Sequence, residues 1–110
     1  MLNINGQSIE ISRGDTGAFT ITFTGADAPE DGCIVEVSLK KTRSSEDTIW
    51  EKKLTVASNA IYVTLLPQDT ENLSFGQYWW DARIIFRDGS VYTPMLPASF
   101  KVLEVIGDGK

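Results

Sequence analysis

The chain has 110 residues, 42% of them hydrophobic, and a formal net charge of -5. This length and apolar content suffice for one compact domain over residues 1–110 that needs neither disulfides nor a metal to fold. With 10 Lys and Arg against 15 Asp and Glu, the chain lacks the basic surface that phosphate recognition requires. We therefore expect it to bind neither nucleic acid nor anionic membranes.

The cysteine content and the N-terminus bear on the compartment. Cys33 is the only cysteine, so the disulfide framework of a small oxidised secreted domain is missing. The first 15 residues contain no basic start followed by an apolar run, and we find no secretory signal in them. These features predict synthesis in a reducing cytosol.

Apolar and polar residues alternate in segment after segment, which predicts β-strands with one buried face. No stretch keeps a helical period for three turns, so the prediction is all-β. The side chains expected to face inward are, strand by strand, Ile9 and Ile11; Phe19, Ile21 and Phe23; Cys33, Val35, Val37 and Leu39; Trp50, Leu54 and Val56; and Ile61, Val63 and Leu65.

Turn residues separate these strands. Residues 13–17 end the first strand, and residues 25–32 form a loop by composition. Ser58 and Asn59 supply a tight turn, so the fourth and fifth strands are expected to pair as a hairpin. Residues 67–73 then turn, with Asp69 as a local cap.

The segment from residue 66 to residue 81 is the strongest indication of the fold. A polar turn, then Leu-x-x-Gly-x-Tyr, then alternating large residues is typical of the penultimate strand of an immunoglobulin-like sandwich. Tyr78 is placed to form a tyrosine corner, in which the phenol hydrogen-bonds back to the preceding turn. On this strand, Tyr78 and Trp80 should face inward.

The end of the chain completes the prediction of the fold. Asp88 and Gly89 predict a hairpin with a type I′ turn. Pro94 and Pro97 cannot donate ladder hydrogen bonds, so the last strand should consist of two pieces before Phe100 and Val102 pack inward. The prediction is an immunoglobulin-like antiparallel β-sandwich of about seven strands.

Catalytic chemistry has little support in the sequence. The chain contains no histidine, which removes Ser-His-Asp and Cys-His catalysis and the commonest transition-metal ligand. Cys33 shares the parity of Val35 and Val37, so a packed thiol is favoured over a nucleophile.

Carboxylates in the loops are a second candidate for chemistry. They could bind calcium or supply a glycosidase pair, but no spacing resembles an EF-hand loop, and caps or solvated side chains explain them better. We predict no enzyme, no catalytic residue, no metal site and no cofactor. The three acidic groups are Asp27 with Glu30 and Asp31, Glu46 with Asp47, and Asp69 with Glu71.

The outward side of the penultimate strand is the best candidate for an interaction surface. The parity that buries Tyr78 and Trp80 places Trp79, Arg83 and Ile85 together on the outer face. Exposed aromatic residues are enriched at interface hot spots and on platforms that stack sugars, whereas the alternative is that another segment covers them.

Two smaller motifs have weaker functional readings. Trp50 with Tyr62 would form a second sugar platform if their face were open. Arg13-Gly14-Asp15 spells an integrin-type tripeptide, but a turn at a strand end explains it better.

The order of these segments over residues 9–105 resembles small β-sandwich domains of tailed-phage and prophage structural proteins, in particular the N-terminal domain of phage baseplate upper proteins. The most specific segments are residues 13–16, Leu66-Pro67-Gln68-Asp69-Thr70, and Gly76-Gln77-Tyr78 with Asp81. In those proteins the domain anchors a longer receptor-binding or tail-fibre assembly. The resemblance implies assembly through protein contacts without catalysis.

The expected function is therefore that of a virion structural module, made in the bacterial cytoplasm and assembled into the virion with other structural proteins. It could also form homo-oligomers. The alternative is a carbohydrate-binding or adhesive module whose partner is a glycan. The sequence leaves open the oligomeric state, the virion component and the face that is covered.

Overall fold

The computed structural model describes residues 2–5, 7–24, 28–93 and 97–104. Within these ranges the chain forms nine strands and one short 3-10 turn, η1, at Pro67–Asp69. The strands are β1 (Leu2–Asn5), β2 (Ser8–Ser12), β3 (Gly17–Thr22), β4 (Ile34–Lys40), β5 (Trp50–Thr55), β6 (Ala60–Leu65), β7 (Gly76–Ile85), β8 (Val91–Tyr92) and β9 (Ala98–Leu103).

The strands form two sheets. The large sheet has the order β1-β2-β9-β7-β4-β5, with β8 added to β7, and the second sheet pairs β3 with β6. The all-β sandwich is confirmed. The large sheet is mixed rather than wholly antiparallel, because β2 pairs with β9 in parallel. The strand count exceeds the predicted seven because β1 precedes the first predicted strand and the last strand is split in two, as expected.

The core lies between the two sheets and contains the residues that the alternation predicted. Ring contacts link the layers: Phe19 on β3 meets Trp80 on β7 edge to face, with ring centroids 5.6 Å apart. Cys33 is buried as a packed thiol. The buried hydrophobic residues are Ile9, Ile11, Cys33, Val35, Val37, Leu39, Val56, Ile61, Val63, Leu65, Tyr78, Trp80, Ala82, Ile84, Phe100 and Val102.

The predicted hairpin of the fourth and fifth strands is wrong. β5 pairs with β4 in the large sheet, whereas β6 pairs with β3 in the second sheet. The tight turn does form, since Ala57 and Ala60 exchange both backbone hydrogen bonds around it. The chain crosses from one sheet to the other directly beyond this turn, because the apolar faces of both strands must reach the same core.

The type I′ turn occurs at a different place from the one predicted. Ser58 and Asn59 have φ values of 54° and 58°, which is the type I′ requirement. At the β7–β8 connection only Gly89 has positive φ, at 89°. There the Gly89 N–H donates to the carbonyl oxygen of Phe86, and the Phe86 N–H donates to the carbonyl oxygen of Ser90. A three-residue loop therefore replaces the predicted two-residue turn.

The predicted tyrosine corner is present. The Tyr78 hydroxyl donates to the carbonyl oxygen of Ser74 at 2.9 Å and fixes the entry into β7. The turn before it is held by Asp69, whose carboxylate accepts the Leu66 N–H at 2.8 Å, as the predicted local cap requires. Thr70 is fully buried, and its hydroxyl accepts the Gly14 N–H at 2.8 Å.

Some expectations fall outside the described residues, namely those for Asp27, for Pro94 and for residues 105–110. Among the residues that are described, no helix is long and apolar enough to cross a membrane.

Replacing Tyr78 by Phe should lower the free energy of unfolding by about 1 kcal/mol, because only the hydrogen bond to Ser74 is lost while the ring still packs. Chemical denaturation measures the change. Tyr62→Phe is the matched control, since Tyr62 is 64% exposed and its hydroxyl makes no hydrogen bond in the described structure. Equal stability of the two variants would contradict a stabilising role for the corner.

Replacing Ser58 by Gly should raise the free energy of unfolding by about 0.5 to 1 kcal/mol, since a non-glycine residue at φ 54° carries a steric cost that glycine does not. The unfolding midpoint in urea reports the gain. Ser58→Ala should instead be neutral or destabilising, and a gain in that variant would argue that the strain is absent.

Candidate interaction surface

The outer face of the large sheet is the face that points away from the second sheet. Its central part is built from the outward residues of β4, β5 and β7, whose registers align them in rows across the strands. The rows are Thr55, Ile34 and Ile85, extended to Val91 on β8; Lys53, Glu36 and Arg83; Glu51, Ser38 and Asp81; and Lys40 with Trp79. Each row has its own chemistry.

A buried carboxylate holds the second row together. Glu36 is only 6% exposed although it lies on the outer face, because the longer side chains of the flanking strands cover it. Arg83 donates to the same Glu36 oxygen, Oε1, from Nε at 3.2 Å and from Nη2 at 2.7 Å. Lys53 Nζ lies 3.6 Å from the other oxygen, Oε2. The carboxylate therefore has a cation on each side.

This arrangement shifts the pKa of both partners. The hydrogen bond from Arg83 lowers the pKa of Glu36 below its ordinary value, against the opposing effect of burial, and Lys53 adds to the lowering. The same hydrogen bond raises the pKa of Arg83. The predicted interface residue Arg83 thus has a structural partner, although its side chain is still 52% exposed.

A polar groove of about 410 Å³ lies next to this row. The floor comes from β4 and β7, and the chain between β4 and β5 supplies Glu46 and Thr48. That connection is ordered locally by Ser45, whose hydroxyl accepts the Asp47 N–H at 3.2 Å. The lining residues are Ser38, Lys40, Glu46, Thr48, Glu51, Asp81, Arg83 and Thr93.

The groove contains both paired and unpaired polar groups. Lys40 Nζ lies 3.7 Å from Asp81 Oδ2, which neutralises that carboxylate. Glu46 and Glu51 make no hydrogen bond or ion pair within the described part of the chain, although the charge of Glu51 contributes to raising the pKa of Arg83. Ser38 is 7% exposed, and no buried side-chain nitrogen or oxygen atom among the described residues lacks a hydrogen-bond partner.

The predicted interface residue Trp79 lies on the outer face, as expected, beside Lys40. Its ring is half-buried and covered by Arg43, whose guanidinium carbon is 4.7 Å from the ring centroid. A cation over an aromatic face is attractive, and it holds the loop after β4 against the sheet. Arg43 therefore covers an indole face that was expected to be open for stacking on a sugar.

The third predicted residue, Ile85, lies at the other end of β7. Ile85 is half-buried between Ile34 and Val91, and Val91 is 55% exposed. Trp79 and Ile85 are six positions apart, which corresponds to about 20 Å of strand. The three predicted interface residues share a face but do not form one contiguous patch.

The other functional candidates have structural surroundings. Trp50 faces the core side and donates its indole N–H to the Asp69 carbonyl at 3.1 Å, so it forms no platform with the outward Tyr62. Arg13 covers the Phe75 ring at 4.3 Å in the turn after β2, which supports the turn interpretation of Arg13-Gly14-Asp15. Among the described residues, no group of three or more Cys, Asp or Glu side chains is placed to hold a metal ion.

Sequence reasoning did not predict the groove. Its residues come from β4, the loop after β4, β5, β7 and the end of β8, and no short motif connects them. The polar character of Ser38 at a central strand position was the only local signal. Alternation placed Ser38 correctly on the outer face but could not show that its neighbours would bury it.

Replacing Glu36 by Gln should lower the free energy of unfolding at neutral pH by about 1 to 2 kcal/mol, because charge-assisted hydrogen bonds to a half-exposed Arg83 are lost. A depressed carboxylate pKa stabilises the fold above the unfolded-state value of 4.5. The difference from wild type should therefore shrink as the pH falls below about 4.5. Urea unfolding at a series of pH values measures it.

Glu30→Gln is the control for this experiment, because Glu30 is exposed and its substitution removes the same charge at a site away from Arg83. A constant difference between wild type and Glu36→Gln across the pH series would show that the contribution does not depend on the ionised carboxylate.

Comparison with known proteins adds no relationship for this chain. No family model matches it, and no curated protein is significantly similar to it. The resemblance to phage structural domains therefore stays a prediction that is based on the motifs of residues 13–16, 66–70 and 76–81.

Proposed function

We infer that this chain is a non-enzymatic structural module of a tailed-phage or prophage virion, which assembles through protein contacts on the outer face of its large sheet. The support consists of the sandwich fold, the motifs at the entry to β7 and the composition of the outer face. Localisation in the virion, after synthesis in the bacterial cytoplasm, is part of the same proposal.

The observation that carries the proposal is the apolar row on the outer face. Ile34, Ile85 and Val91 are direct neighbours across β4, β7 and β8, and they lie on the side that the second sheet does not cover. Val91 is 55% exposed. Aliphatic side chains aligned on an outward sheet face favour burial against another protein surface.

The extent of the face fits an interface of ordinary size. Trp79 and Ile85 mark its two ends, and about 20 Å of β7 lies between them. A standard interface buries roughly 800 Å² on each partner, which corresponds to a patch of that order of length. Apolar contacts at the Ile85 end and the Trp79–Arg43 pair at the other end would bracket the charged rows.

The charged side chains between these ends would set the orientation of a bound partner rather than add to its affinity. Arg83 and Lys53 already form ion pairs with Glu36, and Lys40 forms an ion pair with Asp81. Carboxylates that are engaged in this way are poorly placed for acid–base catalysis, which supports a role in assembly. Fixed charge rows also favour one docking register over its alternatives.

Trp79→Ala and Ile85→Lys should each weaken self-association by at least about tenfold while leaving the fold intact, because both remove an end of the proposed contact surface. Light scattering after size exclusion, over a wide concentration range, should show a discrete closed oligomer for the wild-type chain and a shift toward monomer for the variants.

Two controls make this test specific. Tyr62→Ala changes a side chain that is 64% exposed on the second sheet, and it should leave the mass distribution unchanged. Trp80→Ala should instead cost about 3 to 5 kcal/mol of stability, because it removes core packing. A wild-type chain that is monomeric at every concentration would contradict self-assembly through this face.

A further inference from the structure

We propose that the free edge of β3 accepts an extended segment of a partner polypeptide, in antiparallel register, as a third strand of the second sheet. The segment that fits is uncharged and carries apolar side chains at alternate positions. This edge belongs to the second sheet, whereas the proposed assembly surface is the outer face of the large sheet. The inference therefore goes beyond the proposed function and can be tested separately from it.

Backbone groups at the edge of β3 are available for pairing. Among the described residues, β3 pairs only with β6. The Phe23 N–H donates to the carbonyl oxygen of Asn59 at 2.8 Å, which continues the register of the two strands. Because the backbone groups of successive residues point to opposite sides of a strand, those of Ala18, Thr20 and Thr22 point to the free edge. No hydrogen bond to another described segment is found for these three residues.

The apolar side of β3 is incompletely covered. Phe19, Ile21 and Phe23 pack against the core but are only half-buried. The inward side chains of β6 are at most 2% exposed, and they are Ile61, Val63 and Leu65. Since both strands belong to one sheet, the apolar layer is incomplete on the side of β3. An added strand would complete it, with main-chain hydrogen bonds for affinity and side-chain contacts for specificity.

The sequence of this edge favours pairing. Exposed edge strands are commonly protected by charged residues or by proline. Residues 17–24 contain neither. At an edge of the large sheet, by contrast, β5 carries Glu51, Lys52 and Lys53 in succession. A neutral edge selects a neutral segment, because a charged side chain that is buried beside β3 would have no opposite charge to pair with.

The widths of the two sheets favour a single strand over a second copy of the whole domain. Six strands lie side by side in the large sheet and two in the second sheet. Phe19 on β3 packs on Trp80 of β7, and β6 follows β5 through a tight turn, so β9, β2 and β1 lie beyond β3 on the side of its free edge. A second domain that paired through its own β3 would bring its large sheet against these strands. One extended segment would lie above them.

The test uses two capped peptides of the same sequence, Thr-Val-Thr-Val-Thr-Val-Thr, which are titrated into the isotope-labelled 110-residue chain. In the first peptide the valine nitrogens are methylated, so the threonine N–H groups can pair with β3 while the valine side chains face inward. In the second peptide the threonine nitrogens are methylated, which blocks that pairing. Only the first peptide should bind, with amide shifts centred on Ala18, Thr20 and Thr22.

Amide hydrogen exchange gives a second readout on the unaltered chain. The Thr20 and Thr22 N–H groups should exchange faster in the free chain than the N–H of Phe23, which donates to Asn59. Binding of the first peptide should slow exchange at Thr20 and Thr22 by at least about tenfold, because these groups would then exchange only when the added strand opens.

A pair of proline variants should locate the contact. Thr20→Pro should weaken binding of the first peptide by at least about tenfold, because proline removes an edge N–H that β6 does not use. Thr64→Pro is the matched control. Thr64 lies opposite Ala18, so its N–H points away from β3 to the other edge of the sheet. This variant should change binding by less than about twofold.

Three results would overturn the proposal: no binding of the first peptide at millimolar concentration, equal binding of the two peptides, or equal losses for Thr20→Pro and Thr64→Pro. Wild-type oligomers that Thr20→Pro abolishes and Ile85→Lys retains would also overturn it, because they would assign the edge to a second copy. Intact peptide binding in Ile85→Lys would support an edge that is independent of the outer face. A failure of one proposal can thus be told from a failure of the other.

Discussion

The pairing of β7 with β4 is the constraint on which the rest of the structure depends. Seven consecutive residue pairs join the two strands, from Ile34 with Ile85 to Lys40 with Trp79. The other edge of β7 is divided, because β9 pairs with its first half and β8 with its last two residues. A slip of one residue in this register would exchange the two faces, burying the charged rows and exposing Trp80.

The same register explains how a charged residue can be central and buried on an outward face. Glu36 has a cationic neighbour on each side, Lys53 from β5 and Arg83 from β7, because both strands meet β4 in antiparallel register at that position. Long side chains from flanking strands fold over a shorter one in the middle. Ion pairs thus hold the side chains of this row in place on a face that the second sheet does not cover.

Much of this fold could be predicted from the sequence because alternation and turn chemistry are local signals. The inward residues and the tyrosine corner of Tyr78 followed from parity and from one motif. The partner of β6 could not be predicted, since a tight turn at Ser58 and Asn59 suits a hairpin as well as a crossover. That pairing depends on how the strands are divided between the two sheets that pack around one core, which is not a local property of the sequence.

The candidate site was less accessible to sequence reasoning than the fold. Parity placed Trp79, Arg83 and Ile85 correctly on one face, but it could not supply Arg43 over the indole ring or Glu36 beneath the guanidinium group. Contacts of this kind join residues about 35 to 50 positions apart, so their geometry follows from register rather than from any local pattern. The groove likewise forms only when separate strands are paired in the sheet, because its lining residues come from several strands and a loop.

The parallel pairing of β2 with β9 has a consequence for how the chain reaches its native state. Ile9 aligns with Phe100 and Ile11 with Val102, so an early strand finds its partner only after about 90 further residues. Such non-local contacts slow folding, because loop-closure entropy is lost before the contacts form. During synthesis on the ribosome, β2 would remain without this neighbour until β9 emerges, which leaves an unpaired strand edge open to chaperones or to premature association.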